Sequence, residues 1–226
     1  MDVTLAFDVY GTLIDTNGVT RLLVSMIGDT APDFSRLWRD KQLEYAFRRG
    51  LMRRYRDFGV CTRDALEFTN AFLKTELSGA QKQRLLDSYR SLPAFADVAP
   101  ALQALEAAGY RLFAFSNGSA AAVGTLLESA GILARFVDIV SVDEIGTFKP
   151  DPDVYRHFLE RSGVAGESAW LVSGNAFDII GAVSAGMRAA WVRRKGDALF
   201  DPWDVEPTVT VNSLSGLQQA IRRYTG

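Results

Sequence analysis

The order of apolar and polar segments after residue 97 constrains the fold of this chain most strongly. Short apolar runs typical of buried strands alternate there with segments of helical periodicity, and a further apolar run stands near the start of the chain. A βαβ series of this kind builds a parallel sheet with helices on both faces. We therefore predict an α/β fold with a parallel-sheet, Rossmann-like core. The predicted strands are 3–7, 111–115, 137–140, 169–172, 189–192 and 209–211, and the predicted helices of this part are 120–130, 152–162, 176–185 and 213–223.

Residues 15–96 interrupt this alternation and have only helical character. Four amphipathic helices are predicted there, in which apolar residues mix with arginine and lysine. A helical block between the first strand and the next βα unit is typical of an inserted cap, which excludes water from a site and adds specificity residues. We predict a catalytic core of residues 1–14 and 97–226 and a helical cap of residues 15–96. The four predicted cap helices are 17–28, 34–57, 62–77 and 80–91.

Composition narrows the class of function. The chain has 226 residues, of which 48% are hydrophobic, so it can bury a sizeable core. A net charge of −2 gives no electrostatic reason to expect nucleic-acid binding. No run approaches the roughly 18 apolar residues of a membrane span, so we expect no membrane partner. Cys61 is the only cysteine, and the first strand begins at once without a signal-like segment, so we expect a cytoplasmic protein.

The histidine content excludes two common kinds of site. His157 is the only histidine, so a His-rich zinc site is excluded by count. A Ser-His-Asp triad would have to use this residue, and the sequence contains no nucleophile elbow. We expect His157 to be a partly exposed residue of the helix 152–162 rather than a base.

The first predicted strand ends on an acidic residue. Asp8 follows the apolar run and precedes a Gly-Thr turn, so the strand would deliver one carboxylate to the edge of the sheet, where it can act as a nucleophile. An aspartyl phosphatase built this way needs a second Asp two residues later, to protonate the departing alkoxide. Tyr10 occupies that position. A leaving group that needs no proton, such as a halide, would fit.

Three further groups of polar residues follow or close predicted strands of the core: Ser116-Asn117, Lys149, and the stretch 173–178. Each has an ordinary structural explanation, as a helix cap, a solvated turn or an acid at a helix start. Parallel sheets bind ligands at the carboxyl ends of their strands. Together with Asp8 these groups supply a nucleophile, hydroxyl and amide donors, a cation and a second carboxylate. Their coincidence favours an active site.

At this point the chain resembles a known family over its whole length. It is similar to the haloacid dehalogenase superfamily and, within it, to the L-2-haloacid dehalogenases. The cap stretch and the last stretch below are the most specific to the dehalogenase branch. The residues that carry the resemblance are 7–13 (FDVYGTL), 37–45 (LWRDKQLEY), 116–119 (SNGS), 149–151 (KPD) with Tyr155, and 172–178 (VSGNAFD).

The resemblance implies a role for each matching residue. Asp8 would be the nucleophile, Thr12 would hold its orientation, and Lys149 would pair with its carboxylate. Arg39, from the cap, would clamp the departing halide, although its place in a charged amphipathic helix, taken alone, favours a solvated side chain. The implied catalytic set is Asp8, Thr12, Arg39, Ser116, Lys149, Tyr155, Ser173, Asn175 and Asp178, in which Tyr155, Ser173, Asn175 and Asp178 would position Lys149 and the hydrolytic water.

The resemblance also implies a substrate pocket. Ser116 and Asn117 would bind the substrate carboxylate or line the halide pocket, and Tyr10 and Phe177 would form apolar walls. The implied substrate-binding set is Val9, Tyr10, Arg39, Ser116, Asn117 and Phe177.

Gly174 departs from the dehalogenase pattern, in which we expect a small polar residue, often serine. In the phosphatase branch this position carries a carboxylate that binds Mg²⁺, and glycine offers no such side-chain ligand. With Tyr10 in place of the acid, two phosphatase requirements fail together. Solvent positioning near Gly174 would also differ from that of the dehalogenases.

The reaction implied by the resemblance is hydrolysis of short 2-haloalkanoic acids to 2-hydroxy acids, with inversion, through an ester on Asp8. The expected partners are the small 2-haloacid and its halide, with no metal and no organic cofactor. A Mg²⁺-dependent phosphatase and a non-catalytic member of the superfamily are the alternatives. Apolar positions of the helix 34–57 could form a homodimer face or pack on the core. We expect Trp170 and Trp191 to be core residues and the basic run 193–195 to be a solvated loop.

Overall fold

The computed structural model describes residues 3–224. Residues 1–2 and 225–226, which belong to the predicted core, lie outside that range. Its sheet has six strands in the order β3-β2-β1-β4-β5-β6, and every neighbouring pair is parallel. The predicted α/β class is therefore confirmed. The strands are β1 (Thr4–Phe7), β2 (Arg111–Ser116), β3 (Asp138–Ser141), β4 (Ala169–Ser173), β5 (Arg188–Val192) and β6 (Val209–Val211).

Nine α-helices occur within residues 3–224, and short 3₁₀ turns join several of them. The helices are α1 (Asn17–Ile27), α2 (Ala31–Leu51), α3 (Phe58–Leu73), α4 (Gly79–Ser88), α5 (Val98–Ala107), α6 (Ala120–Ser129), α7 (Pro152–Ser162), α8 (Ala176–Ser184) and α9 (Leu217–Arg222). None of the helices in the described part of the chain has the length and apolar character needed to cross a membrane.

The central strand is buried on both faces. Leu5 and Phe7 pack into one hydrophobic cluster, whereas Ala6 packs into a second cluster on the opposite face. This division follows from the strand period of two residues, which sends successive side chains to opposite faces. Both faces are apolar because helices cover both, as parallel sheets require. Trp170 and Trp191 are buried in these clusters, as predicted. His157 keeps 18% of its side chain exposed, which confirms its predicted partial exposure.

Helices α1–α4 all lie between β1 and β2 in the chain, as the sequence predicted. The segments that leave and re-enter the sheet run side by side. Ile14 forms an antiparallel bridge with Ala94, and the Phe95 amide donates to the carbonyl oxygen of Leu13 at 3.0 Å. The two crossing segments, one leaving the sheet at residues 13–14 and one returning to it at residues 94–95, are thus hydrogen-bonded to each other at one place.

The predicted bounds of two helices in this block are wrong. The predicted helix 34–57 ends at Leu51, and the predicted helix 62–77 runs from Phe58 to Leu73. Residues 52–57 between the two helices contain no proline or glycine. Gly50 and Gly59, which the sequence suggested as marking helix ends or turns, lie one residue before the end of α2 and one residue after the start of α3. Tertiary contacts set the turn, because the Tyr55 hydroxyl donates to Asp143 at 2.7 Å and its ring lies 4.9 Å from that of Phe148.

The sequence analysis did not predict helix α5, which directly follows the second crossing segment. Its sequence, VAPALQALEA, contains Pro100 in the first turn, a position that helices tolerate. The last predicted helix, 213–223, is shorter in the structure, since its first turn is 3₁₀.

Candidate active site

The carboxyl ends of three strands bring the predicted polar residues together. Phe7 at the end of β1 is in register with Ala114 of β2 and Val172 of β4. The residues that follow in each strand therefore meet at one edge of the sheet. Gly11 makes this possible at β1, because the turn after Asp8 needs a backbone φ of +81°, which favours glycine.

The two oxygens of the Asp8 carboxylate have different surroundings. Oδ2 accepts hydrogen bonds from Thr12 Oγ1 at 2.7 Å, from Asn175 Nδ2 at 2.8 Å and from Ser173 Oγ at 3.4 Å. Oδ1 has only the Lys149 ammonium, at 3.5 Å, among the residues described. The carboxylate is thus fixed through one oxygen, while the other keeps lone pairs free to attack.

Lys149 is held on several sides. Its Nζ donates to Asp178 Oδ2 at 2.8 Å and to the Phe115 carbonyl oxygen at 2.9 Å, and its side chain is 1% exposed. The Asn117 side-chain oxygen accepts from the Lys149 backbone amide at 3.0 Å. The lysine is therefore a buried, fully oriented cation beside Asp8, and not a solvated turn residue.

A second carboxylate stands behind this lysine. Asp178 is fully buried, and its Oδ1 accepts from the Tyr155 hydroxyl at 2.8 Å. Burial raises the pKa of Asp178, the ion pair with Lys149 opposes that shift, and the nearby Asp8 adds to it. Burial also raises the pKa of Tyr155 well above its ordinary value, so this hydroxyl remains a donor.

Gly181 makes room for Tyr155, and the sequence analysis did not single it out. A side chain at this position of α8 would collide with the Tyr155 ring and hydroxyl. The absence of a Cβ there lets the tyrosine reach Asp178. A glycine inside an apolar helix is the sequence signal that could have pointed to such close packing.

Ser116 and Asn117 end β2 beside this group. The Ser116 hydroxyl oxygen accepts from the Gly118 amide at 3.1 Å, so its proton remains available for another acceptor. Asn117 uses its side-chain oxygen on Lys149, and its amide nitrogen has no hydrogen-bond acceptor within the described part of the chain. Two polar donors therefore remain free next to Asp8.

Val9 and Tyr10 contribute through their backbone. The Val9 side chain is fully buried in the core, so it offers no surface to a substrate. The backbone N–H groups of Val9 and Tyr10 have no acceptor among residues 3–224. Two adjacent free amides beside a strand end are able to donate to an anion.

The Tyr10 side chain lies between the sheet edge and the helical block. Its ring stacks near Phe58 at 6.4 Å and meets the edge of Tyr89 at 6.2 Å. Burial raises the pKa of Tyr10 to about 12, with a smaller contribution from Tyr89, so the phenol stays neutral and protonated. This side chain therefore supplies an apolar wall and not an acid matched to neutral pH.

Arg39 reaches this region from α2. Its only hydrogen bond in the described chain is a long one, from Nη1 to Gln42 Oε1 at 3.4 Å, and no acidic side chain of residues 3–224 pairs with it. Burial raises the pKa of Tyr10 and of Tyr89, and the nearby Arg39 charge partly opposes both increases. The guanidinium is thus half-buried, close to the site and without a counter-charge.

Phe177 links the two sides of the site. It lies at the start of α8, and its ring meets that of Phe47 from α2 edge-on at 5.1 Å. A cavity of about 240 Å³ opens next to Tyr10, between the helical block and the sheet. Its walls include Tyr10, Phe58, Thr62, Tyr89, Gly118 and Ala122.

The backbone explains why position 174 is glycine. A Cβ at Gly174 would lie 2.6 Å from the carbonyl oxygen of Gly11, so the two loops approach more closely than a side chain allows. The Gly174 amide donates to Thr12 Oγ1 at 2.8 Å. Within residues 3–224, no group of three or more His, Cys, Asp or Glu side chains is arranged to share a metal ion.

The basic run after β5 is not a solvated loop throughout, so that prediction is wrong for Arg194. This side chain is only 14% exposed and pairs with Asp97 at 2.7 Å. It also donates to the Thr12 carbonyl oxygen. Sequence reasoning missed it because three consecutive basic residues are typical of a solvated segment.

Comparison with known proteins leads to the same family as the sequence motifs. A family model described as haloacid dehalogenase-like hydrolase matches residues 3–186. The (S)-2-haloacid dehalogenase of Pseudomonas fluorescens is 39% identical over 209 residues, 92% of each chain. Haloacetate dehalogenase H-2 of Moraxella sp. (strain B) is 36% identical and matches over 96% of each chain.

Solved structures agree with the sequence relatives. The L-2-haloacid dehalogenase of Xanthobacter autotrophicus, solved with chloropropionic acid covalently bound, superposes with a TM-score of 0.89 and 30% identity. The match covers 98% of this chain and 99% of that chain. The chain therefore belongs to the haloacid dehalogenase-like hydrolases.

Proposed function

We propose that this protein is an (S)-2-haloacid dehalogenase, which hydrolyses short 2-haloalkanoic acids to 2-hydroxy acids with inversion. One observation carries the proposal: Asp8 is fixed through Oδ2 and free at Oδ1, while Tyr10 stands where a phosphatase places its acid. The sequence relatives named (S)-2-haloacid dehalogenase support the choice of substrate. The Xanthobacter structure with a covalently bound chloropropionic acid supports the covalent route.

In the first step, Asp8 Oδ1 attacks the carbon that bears the halogen from the side opposite the halide. The new C–O bond forms as the C–halogen bond breaks, and the bonding pair leaves with the halide. Arg39 would meet that growing negative charge, because it has no carboxylate partner of its own in the described chain. The free amides of Val9 and Tyr10 and the Ser116 hydroxyl would hold the substrate carboxylate.

In the second step, water attacks the carbonyl carbon of the Asp8 ester. Oδ2 is then the carbonyl oxygen, and its three donors, Thr12, Ser173 and Asn175, would stabilise the charge that develops on it. Asp178 would receive the proton of the water, and the raised pKa of this carboxyl suits a base. As the acyl bond breaks, the departing alkoxide takes the proton back from Asp178 and leaves as the hydroxy acid. Asp8 loses its remaining proton to solvent and returns to the carboxylate, and the configuration has been inverted once.

Lys149 and Tyr155 act on the two carboxylates in this scheme. The lysine ammonium lies between Asp178 and Asp8, so it stabilises the ionised nucleophile and keeps it oriented. Tyr155 holds the other oxygen of Asp178. We assign no metal or organic cofactor to the reaction, because a protein cation already occupies the place beside the nucleophile.

We also propose the division into a core, residues 1–14 and 97–226, and a cap, residues 15–96. The pairing of the two crossing segments at Ile14 and Ala94 supports this boundary. The cap would contribute Arg39 and the apolar residues Phe47 and Phe58, and would exclude water from the nucleophile. A cytoplasmic location and a homodimer stay predictions. The location rests on the single buried cysteine, Cys61.

The two enantiomers of 2-chloropropionate test the proposal. We expect chloride release from the (S) form, with (R)-lactate as the product, and little release from the (R) form. The same preparation with Mg²⁺ and p-nitrophenyl phosphate should release no phosphate. Asp8→Asn is the control, since an amide is a poor nucleophile. Phosphate release without chloride release would support the phosphatase alternative, and release of neither would support a non-catalytic member.

A further inference from the structure

Arg194 occupies an unusual position for an arginine that follows a strand. It lies just after β5, yet its guanidinium is turned inward and uses all of its nitrogens. Nε and Nη2 donate to the Thr12 carbonyl oxygen at 3.1 and 2.6 Å. Nη1 donates to both oxygens of Asp97, at 2.8 and 2.7 Å. The planar guanidinium therefore joins one backbone carbonyl to one carboxylate.

Thr12 is the residue through which this contact reaches the nucleophile. Its hydroxyl donates to Asp8 Oδ2 at 2.7 Å and accepts from the Gly174 amide at 2.8 Å. Its carbonyl oxygen is the acceptor for Arg194. Thr12 is thus fixed at both ends, and a shift of its backbone would rotate or release the Asp8 carboxylate.

Asp97 anchors the arginine to the core. Its Oδ2 also accepts from the Leu214 amide at 2.7 Å, so the carboxylate is tied to the segment before α9. The Arg194 guanidinium lies 4.2 Å from the centre of the Phe95 ring. Phe95 belongs to the second crossing between the helical block and the sheet. Arg194 therefore sits where both crossing segments and the nucleophile turn converge.

We propose that Arg194, anchored by Asp97, is a positioning residue for the nucleophile. It holds the Thr12 backbone so that the Thr12 hydroxyl keeps Asp8 oriented for attack, and it fixes the cap crossing at Phe95 in the same contact. This assignment rests on the proposed dehalogenase function. Arginine suits the role because its rigid fork serves two acceptors at once, which the single ammonium of lysine does not.

The test compares variants of two adjacent arginines. Arg194→Gln removes the fork, and Arg193→Gln is the matched control. Among residues 3–224, the Arg193 side chain bonds only to Asn212 on the surface, at 3.1 Å, and its backbone amide donates to Val211. Single-turnover halide release from (S)-2-chloropropionate is measured on folded protein, with kcat and KM determined separately. We expect R194Q to lose about 10- to 100-fold in the rate of halide release with little change in KM, since small misplacement of a reacting group costs rates of this size. R193Q should match the parent protein.

Chemical rescue distinguishes a positioning role of Arg194 from a general contribution to protein stability. Guanidinium ion, added far below denaturing concentrations, should restore part of the activity of Arg194→Ala and have no effect on R193Q. A crystal structure of R194Q should show the contact between Thr12 and Asp8 lengthened beyond the 2.7 Å of the parent. If R194Q does not fold, Arg194→Lys is measured instead, and we expect it to release halide more slowly than the parent protein.

The outcomes distinguish the two proposals. A folded R194Q, or R194K in its place, that releases halide at the parent rate overturns the role of Arg194 and leaves the dehalogenase assignment intact. A parent protein that releases no halide overturns the proposed function. In that case the crystal structures still decide whether Arg194 positions Asp8, and an unchanged contact between Thr12 and Asp8 would reject it.

Discussion

The unequal surroundings of the two Asp8 oxygens divide the residues of the site into two groups. Lys149 acts beside the oxygen that attacks, whereas Thr12, Ser173 and Asn175 hold the oxygen that becomes the ester carbonyl. Removal of a donor from the second group should therefore affect ester hydrolysis more than ester formation.

Asn175→Ala tests this division. We expect a loss of about 10² to 10³ in the rate of ester hydrolysis, the usual effect of removing one such donor, with halide release in the first turnover less affected. The ester on Asp8 should then accumulate and be visible by mass spectrometry of the intact protein. Asn212→Ala, an exposed position far along the chain, is the control. Equal loss in both steps, with no ester detected, would contradict the assignment of Asn175.

Protonation of Asp178 should set the decrease in activity on the acid side of the pH–rate profile. Because burial raises the pKa of this carboxyl, it becomes protonated as the pH falls while an ordinary Asp, with a pKa of about 3.9, is still ionised. The protonated form cannot accept a proton from water, so activity should fall with decreasing pH above that ordinary value. Asp178→Asn should remove most activity at every pH. Tyr10→Phe should leave the alkaline side unchanged, since the pKa of Tyr10 is raised to about 12.

At the residue scale, the sequence indicated which side chains would lie together at the edge of the sheet, but not a contact that reaches across the fold. Asp8 follows a strand, Lys149 lies in a loop beyond a strand and Asp178 lies in the first turn of α8, and Lys149 contacts both carboxylates. Arg194 was assigned to a solvated loop because its partners, Asp97 and Thr12, lie 97 and 182 positions away in the sequence. Sequence spacing carries no signal for a contact of that kind.

At the scale of elements, α8 does two things at once. It begins beside the site with Phe177 and Asp178, and it leaves a gap at Gly181 that Tyr155 of α7 fills. The tyrosine hydroxyl reaches Asp178 only because α7 and α8 approach closely there. A methyl group at position 181 should force the two helices apart or displace the tyrosine.

Gly181→Ala should therefore destabilise the protein, although Gly to Ala inside a helix ordinarily stabilises by up to about 1 kcal/mol. Overpacking of a filled site costs about 1–3 kcal/mol, which outweighs that gain. Gly124→Ala in α6 is the matched control, because a Cβ there would meet Ile139 at an ordinary 3.6 Å. Urea unfolding should place G181A below the parent and G124A at or above it. Similar stability for both variants would mean that Tyr155 has room to move.

Helix boundaries show what local sequence can predict. The α7 boundaries were correct, because Asp151 caps the helix, Pro152 begins it and Gly163 ends it in the left-handed region. The end of α2 was placed six residues too late, at 57 instead of Leu51. Gly50 lies one residue before that end but does not fix the exact boundary, and the distant contact of Tyr55 with Asp143 holds the turn that follows.

At the scale of the whole molecule, the site is assembled from two parts of the chain that the fold brings together. The sheet supplies the nucleophile and its partners, whereas α2 supplies Arg39. The order of elements led us to expect the helical insertion beside the site, because the chain leaves the sheet at the edge where the first strand ends and ligands bind. The bounds of helices that lack a local cap or breaker, and the packing of the helices on the sheet, depend on tertiary contacts and were not predictable.

Arg39→Ala tests whether the helical block takes part in the chemistry. Loss of one preorganised donor to the leaving halide should lower the rate of halide release by about 10² to 10³, with a small effect on stability. Arg36→Ala is the control, because Arg36 lies on the exposed face of the same helix and pairs with Asp33 at 2.9 Å. Halide release from R39A at the rate of R36A would place Arg39 outside the reaction.

The source of oxygen in the first turnover tests the central claim most directly. Enzyme in excess over (S)-2-chloropropionate is allowed one turnover in H₂¹⁸O, and the product and the peptide that contains Asp8 are analysed by mass spectrometry. If Asp8 attacks carbon and water then attacks the ester carbonyl, the label appears in the Asp8 peptide, and the first hydroxy acid formed carries unlabelled oxygen from the protein. Label in that first product, with none in the Asp8 peptide, would contradict the covalent mechanism and make Asp8 a base for direct attack by water.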